Sequence, residues 1–244
     1  VSGGVDSLTL MAFAHSRGYD AVAFHATSAA VPPSSTERVR EMAARFSWSL
    51  TVLDAGEVAD PLYRANPVDR CRICKSHLYD AARAFVGLAD ARALASGTNL
   101  DDMSDYRPGL DAAAARGVQH PFVDARMNKT DVRALARELG LGDVAELPAQ
   151  PCLASRLETG MHIDEDTLAM VNAVEDAVRA RIGMRANVRC RVRKDGVVIE
   201  MDASALDDLS LAGKRAIVDV ARTVSGIDVA LAPYQMGSAF LRVL

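Results

Sequence analysis

Cysteine is scarce in this chain: four in 244 residues, at positions 71, 74, 152 and 190. They are too few and too unevenly spaced for the disulfide framework of a small secreted domain. Such a pattern points instead to metal or redox chemistry in the cytoplasm, the expected compartment. Long apolar runs are missing too. None approaches the roughly 20 residues that span a bilayer, so no membrane partner is expected, and no signal peptide is visible. There is no basic excess. A formal net charge of −4 implies no broad positive field, which argues against a nucleic-acid partner. Internal repeats and low-complexity segments are absent, and the Ala-rich tracts fall inside helical patterns. What remains is half apolar and a quarter charged. That is an ordinary globular composition, long enough for one large or two smaller domains.

From residue 1 to about 145, short apolar strands alternate with amphipathic helices. Strands are predicted at 20–26, 50–55 and 91–98, and helices at 7–18, 34–48, 74–89 and 128–141. Ser34 and Glu37 stand at capping-box spacing before an apolar face of Val39, Met42, Ala43 and Phe46. Asn128 is the predicted cap of the last of these helices, with Val132, Leu135, Ala136 and Leu139 as its buried face and Gly140 as its stop. This alternation predicts an α/β fold, a doubly wound parallel sheet with ligands at the carboxyl ends of its strands. Residues 146–160 carry two of the chain's prolines and no period, so they read as loop and linker. A helix at 164–183, strands at 187–193 and 197–203 around a Lys194-Asp195-Gly196 turn, a helix at 204–224 and a strand at 227–234 then predict a smaller α+β domain. The domains are accordingly set at 1–158 and 159–244.

The stretch SGGVDS opens the chain's chemistry. Adjacent glycines, Gly3 and Gly4, let backbone N–H groups approach a phosphate, and Ser2 and Ser7 add hydroxyls. The helix that follows turns its positive end toward the ligand, and Asp6 is placed to hold Mg²⁺ against the phosphate charge. A plain strand-to-helix turn is the alternative. The motif is not a Walker loop, since the Gly-Lys-Ser/Thr ending is missing.

Arg70-Cys71-Arg72-Ile73-Cys74-Lys75 is a CxxC among basic residues, which favour thiolates. With Cys152 it offers three ligands to a [4Fe–4S] cluster, leaving one iron open. Zinc with Cys190 or His77 as fourth ligand, a dithiol redox pair and buried structural cysteine are the alternatives. Cys190, inside a strand, reads as structural. Arg191 and Arg193 alternate on a strand and so share one face, where they either clamp an anion or meet solvent. Lys129 stands at a helix start, where a cation is unfavourable unless an anion is shared there. Arg156 lies four residues past Cys152, beside Ser155. Gly97 and Thr98 end a predicted strand, a ligand position, ahead of Asn99, Asp101, Asp102, Asp105, Tyr106 and Arg107.

Taken in order along the chain, SGGVDS, RCRICK, SGTNLDDMSDYRPG, KTDVRALARELGL, PCLASR and RVRKDG resemble the LarE family of PP-loop proteins, within the ATP pyrophosphatase superfamily. The resemblance implies a PP-loop domain of the adenine nucleotide alpha hydrolase-like type. It also implies a pyridinium-3,5-biscarboxylic acid mononucleotide sulfurtransferase, which makes the thiocarboxylates of a nickel-pincer cofactor. A carboxylate is adenylated by Mg-ATP with release of pyrophosphate, and sulfur then displaces AMP. By resemblance, Ser2, Gly3, Gly4, Asp6, Ser7, Gly97, Thr98, Lys129, Ser155 and Arg156 serve ATP, with Asp6 on Mg²⁺, while Arg191 and Arg193 serve the small-molecule nucleotide substrate. Cys152 matches the sulfur-donor position and Glu175 a glutamate near the substrate, with a longer spacing to RVR than in the family. Some members sacrifice the cysteine sulfur, and others hold a [4Fe–4S] cluster on three cysteines. The CxxC favours the second branch here, with Cys71, Cys74 and Cys152 as ligands. The resemblance leaves the sulfur donor open. Family members form ring-like homo-oligomers, and the same is expected here. A PP-loop is fed by a strand, so a short apolar strand is expected before Val1. The alternatives are a tRNA thiolation enzyme of the same superfamily, an amide-forming ligase of the GMP or NAD synthetase type, which needs no cysteine, and a nucleotide sensor without turnover.

Overall fold

The computed structural model describes residues 1–86, 92–104, 108–183 and 186–239. Outside them lie the end of the helix expected to reach 89, Ala91 of the expected third strand, and Asp105, Tyr106 and Arg107. The chain divides into two compact units. Val1–Asp60 with Asp69–Ala149 forms one, and Pro61–Val68 with Gln150–Leu244 forms the other.

The first unit begins with helix α1 (Val5–Ser16), strand β1 (Val22–Thr27), helix α2 (Pro33–Phe46) and strand β2 (Ser49–Asp54). The strands pair in parallel, Val22 opposite Ser49 through Thr27 opposite Asp54. The short α3 (Pro61–Arg64) belongs with the second unit. The chain returns to the first through α4 (Arg70–Val86), α5 (Pro108–Ala114), α6 (Pro121–Asp124) and α7 (Lys129–Glu138). Val5, Leu8, Met11 and Ala12 of α1 share one buried cluster with Val39 and Met42 of α2 and Val132 and Ala136 of α7. Each large aliphatic side chain so buried contributes about 1.5–3 kcal/mol. Leu135 and Leu139 pack on the same cluster, as their period requires.

Two elements of this unit depart from the expected ones. The α2 N-cap is Pro32, not Ser34, and no side chain caps it. With Pro33 in the first turn, φ is already set for the helix and one orphan N–H is removed, so the Ser34/Glu37 box has no helix start to serve. The helix also stops at Phe46, because Ser47 is left-handed at φ 54. The strand expected at 91–98 is, among the described residues, a single parallel bridge from Ala95 to Gln119. Beyond it the backbone at Gly97 closes on α1 instead of extending a ladder.

The second unit holds α8 (Glu165–Ile182), strands β3 (Val188–Arg193) and β4 (Gly196–Met201), helices α9 (Ala203–Asp208) and α10 (Leu211–Ser225), and strand β5 (Val229–Pro233). β3 and β4 are antiparallel across the Lys194-Asp195 turn, and β5 joins β4 in parallel. Leu168, Val171, Val174 and Val178 of α8 are fully buried, as are Val188, Ile199 and Met201 of the sheet. The helix expected at 204–224 is two helices. Leu209 is extended, and Ser210 caps α10 by accepting from the Gly213 N–H. The excursion Pro61–Val68 is tied to this unit by main-chain bonds from Gly160 to Asn66 and from Ile163 to Arg64. The class is the one read from the sequence, α/β with parallel strands first and a smaller α+β unit after it. No helix among the described residues is long and apolar enough to cross a membrane.

Candidate functional site

In the first unit the chain at Val1 runs beside β1, its carbonyl oxygen 2.8 Å from His25 Nδ1. Ser7 then ties the loop into a ring. Its hydroxyl accepts from the Ser2 N–H at 2.9 Å, lies 3.1 Å from the Ser2 hydroxyl and donates to the Gly4 carbonyl at 3.2 Å. Gly3 has φ +80, and a Cβ there would lie 2.7 Å from the Ser35 carbonyl oxygen, so only glycine lets the first turn of α2 seat on the loop. Arg38 of α2 donates to the Gly3 carbonyl at 2.9 Å. Burial holds the Arg38 guanidinium below its ordinary pKa. Gly4 caps α1 without a side-chain bond, so the positive end of α1 opens onto the loop.

Asp6 sits in the first turn of α1 and is gripped from two sides. Lys129 Nζ donates to both carboxylate oxygens, at 2.7 and 2.5 Å, and Asn99 Nδ2 donates to one at 3.1 Å. Asn99 is almost fully buried. Its N–H donates to Asp102, and its own Oδ1 accepts from the Asp101 N–H. Asp101 in turn accepts from the Lys129 N–H at 3.0 Å. Helix α7 starts at Lys129 because Asn128 and Asp131 complete a capping box. The anion that answers the Lys129 ammonium is therefore Asp6, while Asp101 accepts from the backbone N–H at this helix start. Gly97 is required sterically: a Cβ would meet the Asp6 carbonyl carbon at 2.6 Å and the Ser7 nitrogen at 2.7 Å. The Thr98 hydroxyl is 2.9 Å from that of Ser96, which is 2.8 Å from His120 Nδ1. Burial lowers the His120 pKa.

Cys71 and Cys74 lie in the first two turns of α4, three residues apart on the same face and partly exposed. His77, one of the alternative zinc ligands, is paired with Asp60 at 2.9 Å.

In the second unit Cys152 precedes a short turn, Leu153–Arg156, and is half-buried. Arg156 and Glu175 are each about 1 % exposed and form a two-pronged pair, Nε to Oε1 at 2.8 Å and Nη2 to Oε2 at 2.9 Å. Glu175 also accepts from Arg179 at 2.6 Å and from the Cys190 N–H at 3.0 Å. Burial pushes the Glu175 carboxyl up, but the Arg156 bonds and the charges of Arg156 and Arg179 outweigh it and hold its pKa below the usual carboxylate range. Cys190 is buried, and burial with the Glu175 charge pushes its thiol up to about 12. That fits a structural cysteine.

Arg191 and Arg193 share a face as expected, and both meet Glu200, at 2.9 Å each. Arg191 also donates to the Ser155 and Gln235 carbonyls. Arg193 is the more exposed of the two, at 30 % of its side chain. Sequence reasoning missed Glu200, Arg179, Arg38 and Arg189. Arg189 continues the Arg191–Arg193 alternation and stacks over Tyr234, and its burial lowers its pKa to about 10. The alternation was a usable signal for Arg189, as was the i, i+4 spacing from Glu175 for Arg179. Within either unit, no three described His, Cys, Asp or Glu side chains form a metal-binding group.

No family model matches the chain. It is 35 % identical over 82 % of its length to an uncharacterised protein of Synechocystis sp., covering 74 % of that protein. It is 29 % identical over 85 % of its length to the pyridinium-3,5-bisthiocarboxylic acid mononucleotide synthase of Lactiplantibacillus plantarum, covering 75 % of it. It is also 25 % identical over 63 % of its length to a probable tRNA sulfurtransferase of Methanothermobacter thermautotrophicus, of which it covers 42 %.

Proposed function

Because the chain belongs to the LarE family of PP-loop proteins, whose relatives include sulfurtransferases, we propose that it adenylates a carboxylate of pyridinium-3,5-biscarboxylic acid mononucleotide with ATP and converts it to a thiocarboxylate. A carboxylate is a poor electrophile, since its leaving group would be oxide. Attack of its oxygen on the α-phosphorus of ATP breaks the bond to the β-phosphate oxygen and releases pyrophosphate. A sulfur nucleophile then attacks the acyl carbon, and AMP leaves with the electron pair of the C–O bond.

The observation that carries this reading is the loop Ser2–Ser7, closed by its own serines at the N-terminus of α1, where the Gly4 cap offers no side chain, with Lys129 beside it. Backbone N–H groups and the helix end bind the phosphates, and Lys129 moves from Asp6 onto them, where it offsets the charge that develops as pyrophosphate departs. Gly97 and Thr98 hold the other side of the loop. Asp6, a partly exposed carboxylate, is a fitting oxygen ligand for Mg²⁺ once Lys129 leaves it. Mg²⁺, when bound, supplies charge neutralisation at the phosphates. Arg193, supported by Arg191 through Glu200, takes the anionic end of the substrate.

Cys152 is the sulfur-delivering position, on the loop that Ser155 and Arg156 shape. Cys71 and Cys74, same-face and partly exposed thiols at a helix start, fit as two ligands of a [4Fe–4S] cluster, with Cys152 the third. Such a cluster, when bound, supplies a replaceable sulfide, so that the protein turns over more than once. Iron and acid-labile sulfide assayed after anaerobic purification test that branch: about four irons per chain support it, and a colourless protein that loses one sulfur's mass after a single turnover supports sacrifice of Cys152.

The likeness to a probable tRNA sulfurtransferase leaves tRNA thiolation as the second reading, to be revived by a salt-sensitive tRNA shift. The deciding experiment for the main reading is Cys152→Ala. It should keep substrate-dependent pyrophosphate release and form no thiocarboxylate. An amide-forming ligase would retain full product formation. The ring-like homo-oligomer is part of the same proposal, and light scattering on the purified chain checks it.

A further inference from the structure

Arg156 and Glu175, which their motifs assign to nucleotide and substrate, spend their hydrogen bonds inside the protein. Arg156 Nε and Nη2 are committed to Glu175. Its remaining nitrogen, Nη1, donates to the Pro151 carbonyl at 2.6 Å, the Cys152 carbonyl at 3.1 Å and the Ser155 hydroxyl at 3.1 Å. All three guanidinium nitrogens thus have acceptors within the same unit, and the side chain is almost fully buried. A phosphate would have to displace bonds already made, and the group would have to surface to meet it. Glu175 is equally committed: four donors reach its two oxygens, one of them the Cys190 N–H in the middle of β3. Arg191, from the same strand, adds a bond to the Ser155 carbonyl at 3.0 Å. The main chain on both sides of the Cys152 thiol is thereby bound, through one guanidinium and one carboxylate, to α8 and to β3.

We propose that the Arg156–Glu175 pair is a clasp that fixes the Pro151–Arg156 turn and so aims Cys152, acting on sulfur delivery and not on adenylation. Both are positioning residues, and neither touches ATP. The inference rests on the reading of Cys152 as the sulfur position. Its physical basis is that a planar fork can hold two adjacent carbonyls and a carboxylate at once, whereas a point-charge ammonium cannot.

The test compares the wild-type chain with Arg156→Lys and Glu175→Gln, each checked for folding by its circular-dichroism melt. The readouts are substrate-dependent pyrophosphate release, thiocarboxylate formation, and the rate of Cys152 alkylation by iodoacetamide in reduced protein stripped of iron. The clasp predicts pyrophosphate release within about twofold of wild type for Arg156→Lys. Thiocarboxylate formation should fall at least about tenfold, and the Cys152 alkylation rate should change by a similar factor. Equal loss of pyrophosphate release and thiocarboxylate formation, with unchanged alkylation, would overturn it and return Arg156 to the nucleotide. If both variants fail to fold, amide exchange of the wild type decides. Protection at Ser155 and Cys190 that ATP leaves unchanged supports the clasp, and protection that ATP alters contradicts it. A wild type that releases no pyrophosphate with any carboxylate substrate defeats the functional reading instead, while the alkylation rates still judge the clasp.

Discussion

A methyl group at Gly97 would lie 2.6–2.8 Å from three backbone atoms of Asp6 and Ser7. Backbone cannot swing aside as a side chain can, so Gly97→Ala should push the phosphate loop off its seat at the start of α1. ATP affinity is expected to fall at least about tenfold, with a small change in melting temperature, because the strain is local. Isothermal titration with Mg-ATP checks this. Gly18→Ala is the contrast: its Cβ position is open but its φ is +75, so it should cost stability and leave ATP affinity unchanged. Cys190 gives a second prediction at this scale. With its thiol pushed up to about 12 by burial and the Glu175 charge, it should resist iodoacetamide in the folded protein at mildly alkaline pH. Cys71, Cys74 and Cys152, partly exposed, should react once reduced and free of iron, and peptide mass spectrometry distinguishes them. The closed loop Ser2–Ser7 was legible in the sequence because glycine, serine and aspartate at that spacing have a mechanical reason to be there. The partners of Asp6 were not. Asn99 and Lys129 reach it across long stretches of chain, and no local period records such a contact.

Elements set where these side chains stand. Asn128 and Asp131 cap α7, and the same first turn presents Lys129 to Asp6. Asn128→Ala removes one half of the capping box and should cost about 1 kcal/mol of stability by denaturant melt. It should also weaken ATP binding, because the start of α7 would fray. The helical periods of α7 and α8 were readable because their apolar faces are regular. The break between α9 and α10 was not, because apolar residues continue through Leu209 and only the Ser210 cap marks the new start. At α2, proline in the first turn took precedence over the capping signal read at Ser34.

At the scale of the whole molecule, two compact units divide the candidate site residues. The first holds the loop Ser2–Ser7, the Asp6–Lys129 pair and the CxxC, and the second holds Cys152 and the arginine-carboxylate network. The α/β-then-α+β order was visible in the alternation of patterns. The membership of Pro61–Val68 in the second unit was not, since main-chain bonds to residues far along the sequence define it. The network also gives this unit an acid sensitivity. The pKa of Glu175 is depressed in the folded state, so its contribution is present above the unfolded carboxylate value of about 4.3 and is lost as pH falls through the folded value. Acid titration followed by circular dichroism should therefore show a steeper loss of stability below about pH 4 for wild type than for Glu175→Gln, whose amide does not titrate there.

Joining adenylation to sulfur transfer in one protein is the central claim. The most direct measurement follows all products of one reaction of the chain with Mg-ATP, pyridinium-3,5-biscarboxylic acid mononucleotide and a sulfide source under anaerobic conditions. The expected result is AMP and pyrophosphate in equal amounts, both dependent on the mononucleotide, together with a thiocarboxylate product. ADP and phosphate, or AMP and pyrophosphate formed only when ammonia or tRNA replaces the mononucleotide, would contradict it.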